Sequence, residues 1–264
     1  MLENIRLAFQ GIWSHMMRSF LTMLGIIIGI ASIIAIVSTI KGTSEQIKED
    51  LIGSGSNTVN IYLYDGDNRY DSEYGSTTSQ TPILTDDVKD KIHDLDHVEN
   101  ATFYYNSSNA TIYNNNNSLQ GGSVYGIDVN YLATCGYVVQ SGRGFVTDDY
   151  KKYNKVALID DNAAQNLFPS ENPVGKTVEI NQEPYIVVGV IRQNENYQPT
   201  INNLTDYYTY QENIIGNVMI PDSCWPISFK FDVPQNAVVK ADSTDTMSTV
   251  GNDAAEVLNE MIPS

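Results

Sequence analysis

The chain has 264 residues with 15 basic and 32 acidic side chains, a formal net charge of −17. A surface this acidic repels a phosphate backbone, which excludes nucleic acid as a partner. The two cysteines, Cys135 and Cys224, are too few for a disulfide framework or a four-cysteine metal site, though one bridge between them is open.

Residues 2 to 17 place Leu2, Ile5, Phe9, Ile12, Trp13 and Met16 at spacings of three and four, one apolar helical stripe. The reading is an amphipathic interfacial helix over 1–19, with Trp13 and Arg18 as its anchors at the membrane boundary. Residues 20 to 40, FLTMLGIIIGIASIIAIVSTI, carry no charge and are bracketed by Arg18 and Lys41. At helical rise that run is about 30 Å long, the thickness of a bilayer's hydrocarbon core. It exceeds the apolar core of a signal peptide and has no clean cleavage site after it, so it reads as an uncleaved transmembrane helix. Gly25 and Gly29 form a G-x-x-x-G pair that leaves a flat face for another helix to pack on. Basic residues flank both ends of the span (Arg6 and Arg18 before, Lys41 and Lys48 after), so the positive-inside rule alone leaves orientation nearly tied; the amino terminus and His15 favour an inside N-terminus.

The helix is expected to continue to about Leu51 and to end at Gly53 and Gly55. Thr58–Tyr64 alternates and is rich in β-formers, so it predicts a strand, followed by a polar loop over 65–81. Thr85 with Asp86 and Asp87 marks a helix start whose buried stripe is Val88, Ile92 and Leu95. Strands are expected at 98–105, 109–114 and 118–127, with Asn114–Asn117 as the turn before the last. A short helix near 130–134 precedes a turn at Ser141-Gly142-Arg143-Gly144. KVALID at 155–160 reads as a strand, 162–168 as a helix stopped by Pro169, and 177–180 with 185–191 as two more strands. A second polar loop over 193–213 carries Tyr197, Tyr207, Tyr208 and Tyr210, residues suited to a contact surface because they bury area at low entropic cost. Residues 218–220, 228–233 and 237–240 read as strands, and 245–262 as a closing amphipathic helix with Val250, Ala254, Val257, Leu258 and Met261 inward.

Chemistry-bearing motifs are weak. Gly175-Lys176-Thr177 lacks the earlier glycine of a phosphate loop and opens a strand, so Asn172-Pro173-Val174-Gly175 reads as a proline-led turn. Asp65, Asp67 and Asp71 lack EF-hand spacing, and His93 with His97 has no third ligand nearby. No G-x-S-x-G elbow occurs, and the acidic pairs sit at helix starts and turns. No catalytic residue, cofactor site or metal site is assigned.

Four stretches, in order, resemble MacB-like permease subunits of ABC transporters, specifically their first membrane helix and extracytoplasmic core domain. They are Met17–Ser38, Gly53–Asn60, Val124–Asp128 with Gly142-Arg143-Gly144-Phe145, and Val156–Ile191 containing VALID, NLF, NPVGKTVEI and YIVVGVI. The resemblance implies an α+β architecture: the transmembrane helix 20–40, then an extracytoplasmic core domain over 41–264. That domain is expected to be a mixed α/β subdomain with a strand-rich subdomain inserted at about 130–225. It further implies an N-terminus inside the cell membrane, three more spans beyond Ser264, pairing with a second permease copy as a dimer, and an ABC ATP-binding subunit or domain that hydrolyses ATP while this chain does not. An extracytoplasmic adaptor or a cargo completes the expected partners. The expected function is thus the N-terminal part of an exporter permease whose outer domain couples cytoplasmic ATPase motion to handling of a substrate. A single-span anchored binding or sensor protein is the rival that the residues alone leave open.

Overall fold

The computed structural model describes residues 2–53, 57–65, 68–69, 84–194, 215–231 and 233–261. Two compact units divide the chain at Asp50 and Leu51.

The first unit lies in one helix, α1, which runs from Leu2 to Gly53. The backbone is helical through residues 18–21, so the stretch expected to form an interfacial helix and the apolar span share one uninterrupted helix. Within it, Phe20–Thr43 has mean hydropathy 2.7, and none of that window is buried. A helix this apolar on all sides needs apolar surroundings. Three of its hydroxyls are satisfied within the helix: Thr22, Ser32 and Thr39 each donate to the carbonyl four residues back, so these three do not obstruct burial in lipid.

The second unit is built on one eleven-stranded mixed sheet. Its first half contains β1 (Thr58–Ile61), β4 (Val98–Ser107), β7 (Ser123–Ile127) and β13 (Asn236–Ala241), in the order β1-β13-β4-β7. The strands Tyr64–Asp65 (β2) and Asn68–Arg69 (β3) pair separately. The second half continues from β7 through β12 (Asn217–Pro221), β9 (Val156–Asp160), β11 (Glu183–Gln193), β10 (Thr177–Ile180), β5 (Ile112–Asn114) and β6 (Asn117–Ser118), with β8 (Tyr137–Gly142) also on β11. The halves meet where β7 and β12 run parallel, Val124 beside Val218 and Ile127 beside Pro221. The strands of the inserted stretch therefore extend the sheet of the first half, and they recruit the hairpin Ile112–Ser118 from outside that stretch.

Alternation along the strands splits the core between two faces. On one face, Ala101, Phe103, Ala237 and Val239 pack under the helices Asp86–His93 (α2) and Met247–Asn259. Further along the same face, Ile159, Val178, Ile180, Val187 and Val218 pack under the helix Asp161–Leu167, with Trp225 at 1% exposure stacked between Tyr105 and Phe229. The opposite face holds Tyr104, Ile127, Leu158, Met219 and Val238 under the short helix Tyr131–Thr134 (α3).

Several boundaries differ from expectation. Residues 228–233 form no strand among the described residues: a 3-10 turn at Asp222–Cys224 runs into the helix Trp225–Ser228 (α6), favoured by Pro226 at its first turn and fixed by the buried Trp225. The expected strand 118–127 is broken by a turn at Leu119–Gly122, where Gly121 adopts φ +76. Residues 137–142 form a strand that carried no alternating signal, because nearly all of it faces out. Cys135 and Cys224 are both free, so the bridge left open by the sequence is not formed.

The Gly142-Arg143-Gly144-Phe145 corner shows why its residues are needed. Gly142 has φ +76, and a Cβ there would overlap the Val188 carbonyl. Arg143 donates through Nη1 to Asp149 Oδ2 at 2.6 Å and through Nη2 to Oδ1 at 3.2 Å. Asp149, 2% exposed, also accepts from Val146 N and Asn154 Nδ2, closing the first turn of the helix Thr147–Lys151 (α4). Burial disfavours its charged form, but these hydrogen bonds, led by Arg143, prevail and hold its pKa below the usual carboxylate value. Asp149→Ala is expected to lower unfolding free energy by about 3 kcal/mol, since it removes a bidentate charged pair and leaves Val146 N and Asn154 Nδ2 without their acceptor. Gly142→Ala should cost about 2 kcal/mol, and Lys152→Ala, which breaks an exposed pair, less than about 0.5 kcal/mol. Denaturant unfolding of the three variants checks that ranking.

Candidate functional site

The residues singled out in the sequence do not converge on one site. Gly25 and Gly29 lie one turn apart on α1, and a Cβ built on either meets nothing within 4 Å, so this face is open. Arg18 is exposed and its carbonyl accepts from Thr22. Trp13 lies on the helical backbone of α1, outside the residues whose side chains are described. Tyr197, Tyr207, Tyr208 and Tyr210, and most of the loop over 65–81, lie outside the described residues.

No metal-binding group of three or more His, Cys, Asp or Glu occurs among the described residues. His97 instead pairs with Asp242 at 2.8 Å, which raises the imidazole pKa, and its backbone sits at φ 66. The turn expected before Thr177 is present, with Lys176 N donating to Pro173 O at 3.0 Å and Gly175 at φ +86. Neither cysteine is poised as a nucleophile: burial pushes the Cys135 thiol up to about 12, and it raises Cys224 as well.

The sequence missed two carboxylates whose pKa the fold raises, the buried Asp160 at the end of a strand and the half-buried Asp222 in the 3-10 turn that follows β12. Asp160, at the end of β9, accepts from Ala163 N at 2.7 Å and Asn217 N at 2.8 Å, so it caps the helix Asp161–Leu167 (α5) and holds the start of β12. Burial lifts its pKa to about 6 against those donors. Asp222, just after β12, is also lifted to about 6, again by burial, with Lys89 opposing. Acid pairs at helix starts were the visible signal, but burial depends on neighbours far along the chain.

The sequence also missed a pocket of about 290 Å³ between the strand ends at Ile61–Leu63 and Pro234–Ala237 and the far turn of α7, the helix Met247–Asn259, where Ala255, Leu258 and Met261 line it. Its components read correctly as strands and an amphipathic helix; only their juxtaposition creates the hollow.

The raised pKa values of Asp160 and Asp222 fix a sign. Each folded-state pKa lies above the ordinary 3.8, so each favours folding while protonated. That contribution is complete below pH 3.8 and lost as pH rises through about 6. Asp222→Asn is therefore expected to flatten part of the decline in stability across this window and to stabilise the protein at neutral pH by on the order of 1–2 kcal/mol. Denaturant titrations of both proteins at several pH values measure the difference.

Comparison with known proteins gives the chain its place. Residues 19–257 match the family model described as the MacB-like periplasmic core domain. An uncharacterized ABC transporter permease of Bacillus subtilis (strain 168), YvrN, is 35% identical over 263 residues, covering 98% of this chain and 62% of YvrN. A macrolide export ATP-binding/permease protein, MacB of Neisseria gonorrhoeae (strain ATCC 700825 / FA 1090), is 35% identical over 195 residues, 74% of this chain and 29% of MacB. The chain thus spans less than two thirds of the length of these relatives. In fold it matches the crystal structure of the periplasmic region of MacB from Actinobacillus actinomycetemcomitans at TM-score 0.56 and 23% identity, covering 81% of this chain and 88% of that one. The extracellular domain of the noncanonic transporter YknZ from Gram-positive bacteria matches at TM-score 0.54 and 19% identity, covering 77% and 93%. A helix long and apolar enough to cross a membrane, followed by a mixed helix-and-sheet unit and matched by one family model almost end to end, makes this chain a member of the MacB-like ABC transporter permease family.

Proposed function

We propose that this chain is the N-terminal part of an exporter permease, anchored in the cell membrane with its N-terminus in the cytoplasm and its second unit outside. The observation that carries the reading is the order of the two parts: the apolar helix Phe20–Thr43 is followed directly by a unit that matches the MacB-like core domain. ATP hydrolysis then belongs to an ABC ATP-binding subunit or domain on the cytoplasmic side. The outer unit then couples motion of that ATPase to the handling of a substrate, and a second permease copy completes the assembly. Gly25 and Gly29 pack the span against a neighbouring helix, Trp13 and Arg18 anchor its inner end, and the loop with Tyr197, Tyr207, Tyr208 and Tyr210 contacts an adaptor or cargo.

Affinity purification of the protein from its own membranes under mild detergent tests this directly. An ABC ATP-binding protein is expected to co-purify in stoichiometric amounts; recovery of the intact chain without one would point instead to an anchored binding protein. Replacing both Gly25 and Gly29 by leucine is expected to weaken recovery of helix partners several-fold while leaving membrane insertion intact, because two added side chains hold the backbones apart. Protease added to intact cells should cut residues beyond Lys41 and spare the N-terminal segment. Full protection of the outer unit until lysis would overturn the orientation.

A further inference from the structure

We infer that the pocket beside α7 binds a small cationic amphiphile, an apolar body carrying one protonated amine or quaternary ammonium. The inference concerns the second unit alone and stands whether or not the chain works in an exporter.

Three observations carry it. First, the hollow is sized for a small ligand, about 290 Å³, and is walled mainly by aliphatic side chains from three elements that pack on one another: Ile61 and Leu63, Leu84, and Leu258 with Met261. Met261 adds an adaptable thioether that moulds to apolar shapes. Second, none of the lining residues is charged, and the polar groups among them, those of Tyr62, Gln235 and Asn259, are neutral. A charged group thus has no partner inside the hollow, so the apolar part of a ligand must enter while its charge stays at the mouth. Third, the charges that the closing helix sets beside the pocket are negative. The carboxyl end of α7 abuts the pocket through Asn259, and its last carbonyls carry the negative end of the helix dipole. Glu256 and Glu260 flank Asn259 on exposed turns, and Met247–Asn259 itself contains Asp253 and Glu256 but no lysine or arginine. In a chain of net charge −17, an anionic amphiphile is repelled from the same place.

The test uses the full chain in phosphatidylcholine nanodiscs, with methyl-labelled methionine and three water-soluble probes sharing one tail: octyltrimethylammonium, octanol and octyl sulfate. The Met261 methyl resonance, assigned by Met261→Leu, should shift saturably while that of Met219, sealed in the sheet, stays fixed. The cation should bind about threefold to tenfold more tightly than octanol, the gain expected of a helix terminus and two exposed carboxylates, and octyl sulfate most weakly. Shortening the cation's tail to hexyl should weaken binding about tenfold, as lost methylene burial dictates. Glu256→Lys with Glu260→Lys, two exposed sites that folding tolerates, should reverse the order of cation and anion while leaving octanol unchanged. Absence of a saturable Met261 shift with any probe would overturn the site. Equal affinity for cation and anion, or a charge order untouched by the double substitution, would overturn the assigned ligand class.

Discussion

One buried carboxylate ties the second unit together. Asp160 sits at the end of β9, yet its two strongest partners are the amide of Ala163, which opens α5, and the amide of Asn217, which opens β12. The second of these crosses 57 residues of sequence. Through it, the strand that joins the two halves of the sheet is held at its first residue, and the register of β12 against β7 and β9 follows. The neighbouring Gly216 makes the same point sterically. At φ +125 its Cα packs against the backbone of Ala163, where any Cβ would collide. Holding an anion in so dry a place is costly, and the backbone amides of Ala163 and Asn217, with the Asn217 side chain, offset part of that cost.

The unit's other charged contacts mostly answer local needs. Arg143 and Asp149 form a bidentate pair that closes a corner, whereas Lys152–Asp148 and Lys155–Glu183 are exposed pairs of little energetic weight. The aromatic groups divide similarly: Trp225, Tyr105 and Phe229 fill one end of the core, while Tyr104, Tyr125, Tyr131 and Tyr137 cluster on the opposite face around α3. Burial raises the pKa of Tyr131 well above its ordinary value, as expected of a hydroxyl-bearing ring used as core.

Much of the fold could be read from the sequence wherever local pattern and burial agree. The charge-free run from Phe20 to Ile40 read as a span because nothing else accommodates that composition. Val156–Asp160 is buried at every position and read as a strand, its first four residues being apolar without a break, and α7 declared itself through Val250 and Ala254. What could not be read depended on distant neighbours. Tyr137–Gly142 is a strand only because β11 extends far enough to pair with it. Residues 228–233 have strand-like composition, but the chain just before Phe229 is wound into a short helix around the buried Trp225, and no described residue of that run joins the sheet. The candidate ligand pocket was invisible for the same reason: Leu63, Leu84 and Leu258 are unremarkable apart and form a hollow only together.

The pairing of β1 with β13 has a further consequence for how the protein is made. Thr58 lies beside Lys240 and Ile61 beside Ala237, so the first strand of the sheet waits for the last. Such distant closure is slow, since the entropy of a long loop must be lost before the contact repays it. As the polypeptide emerges during synthesis, its early strands therefore remain without their outer neighbour until nearly the whole unit has appeared. Over that interval the unpaired edges of the nascent chain are open to wrong partners.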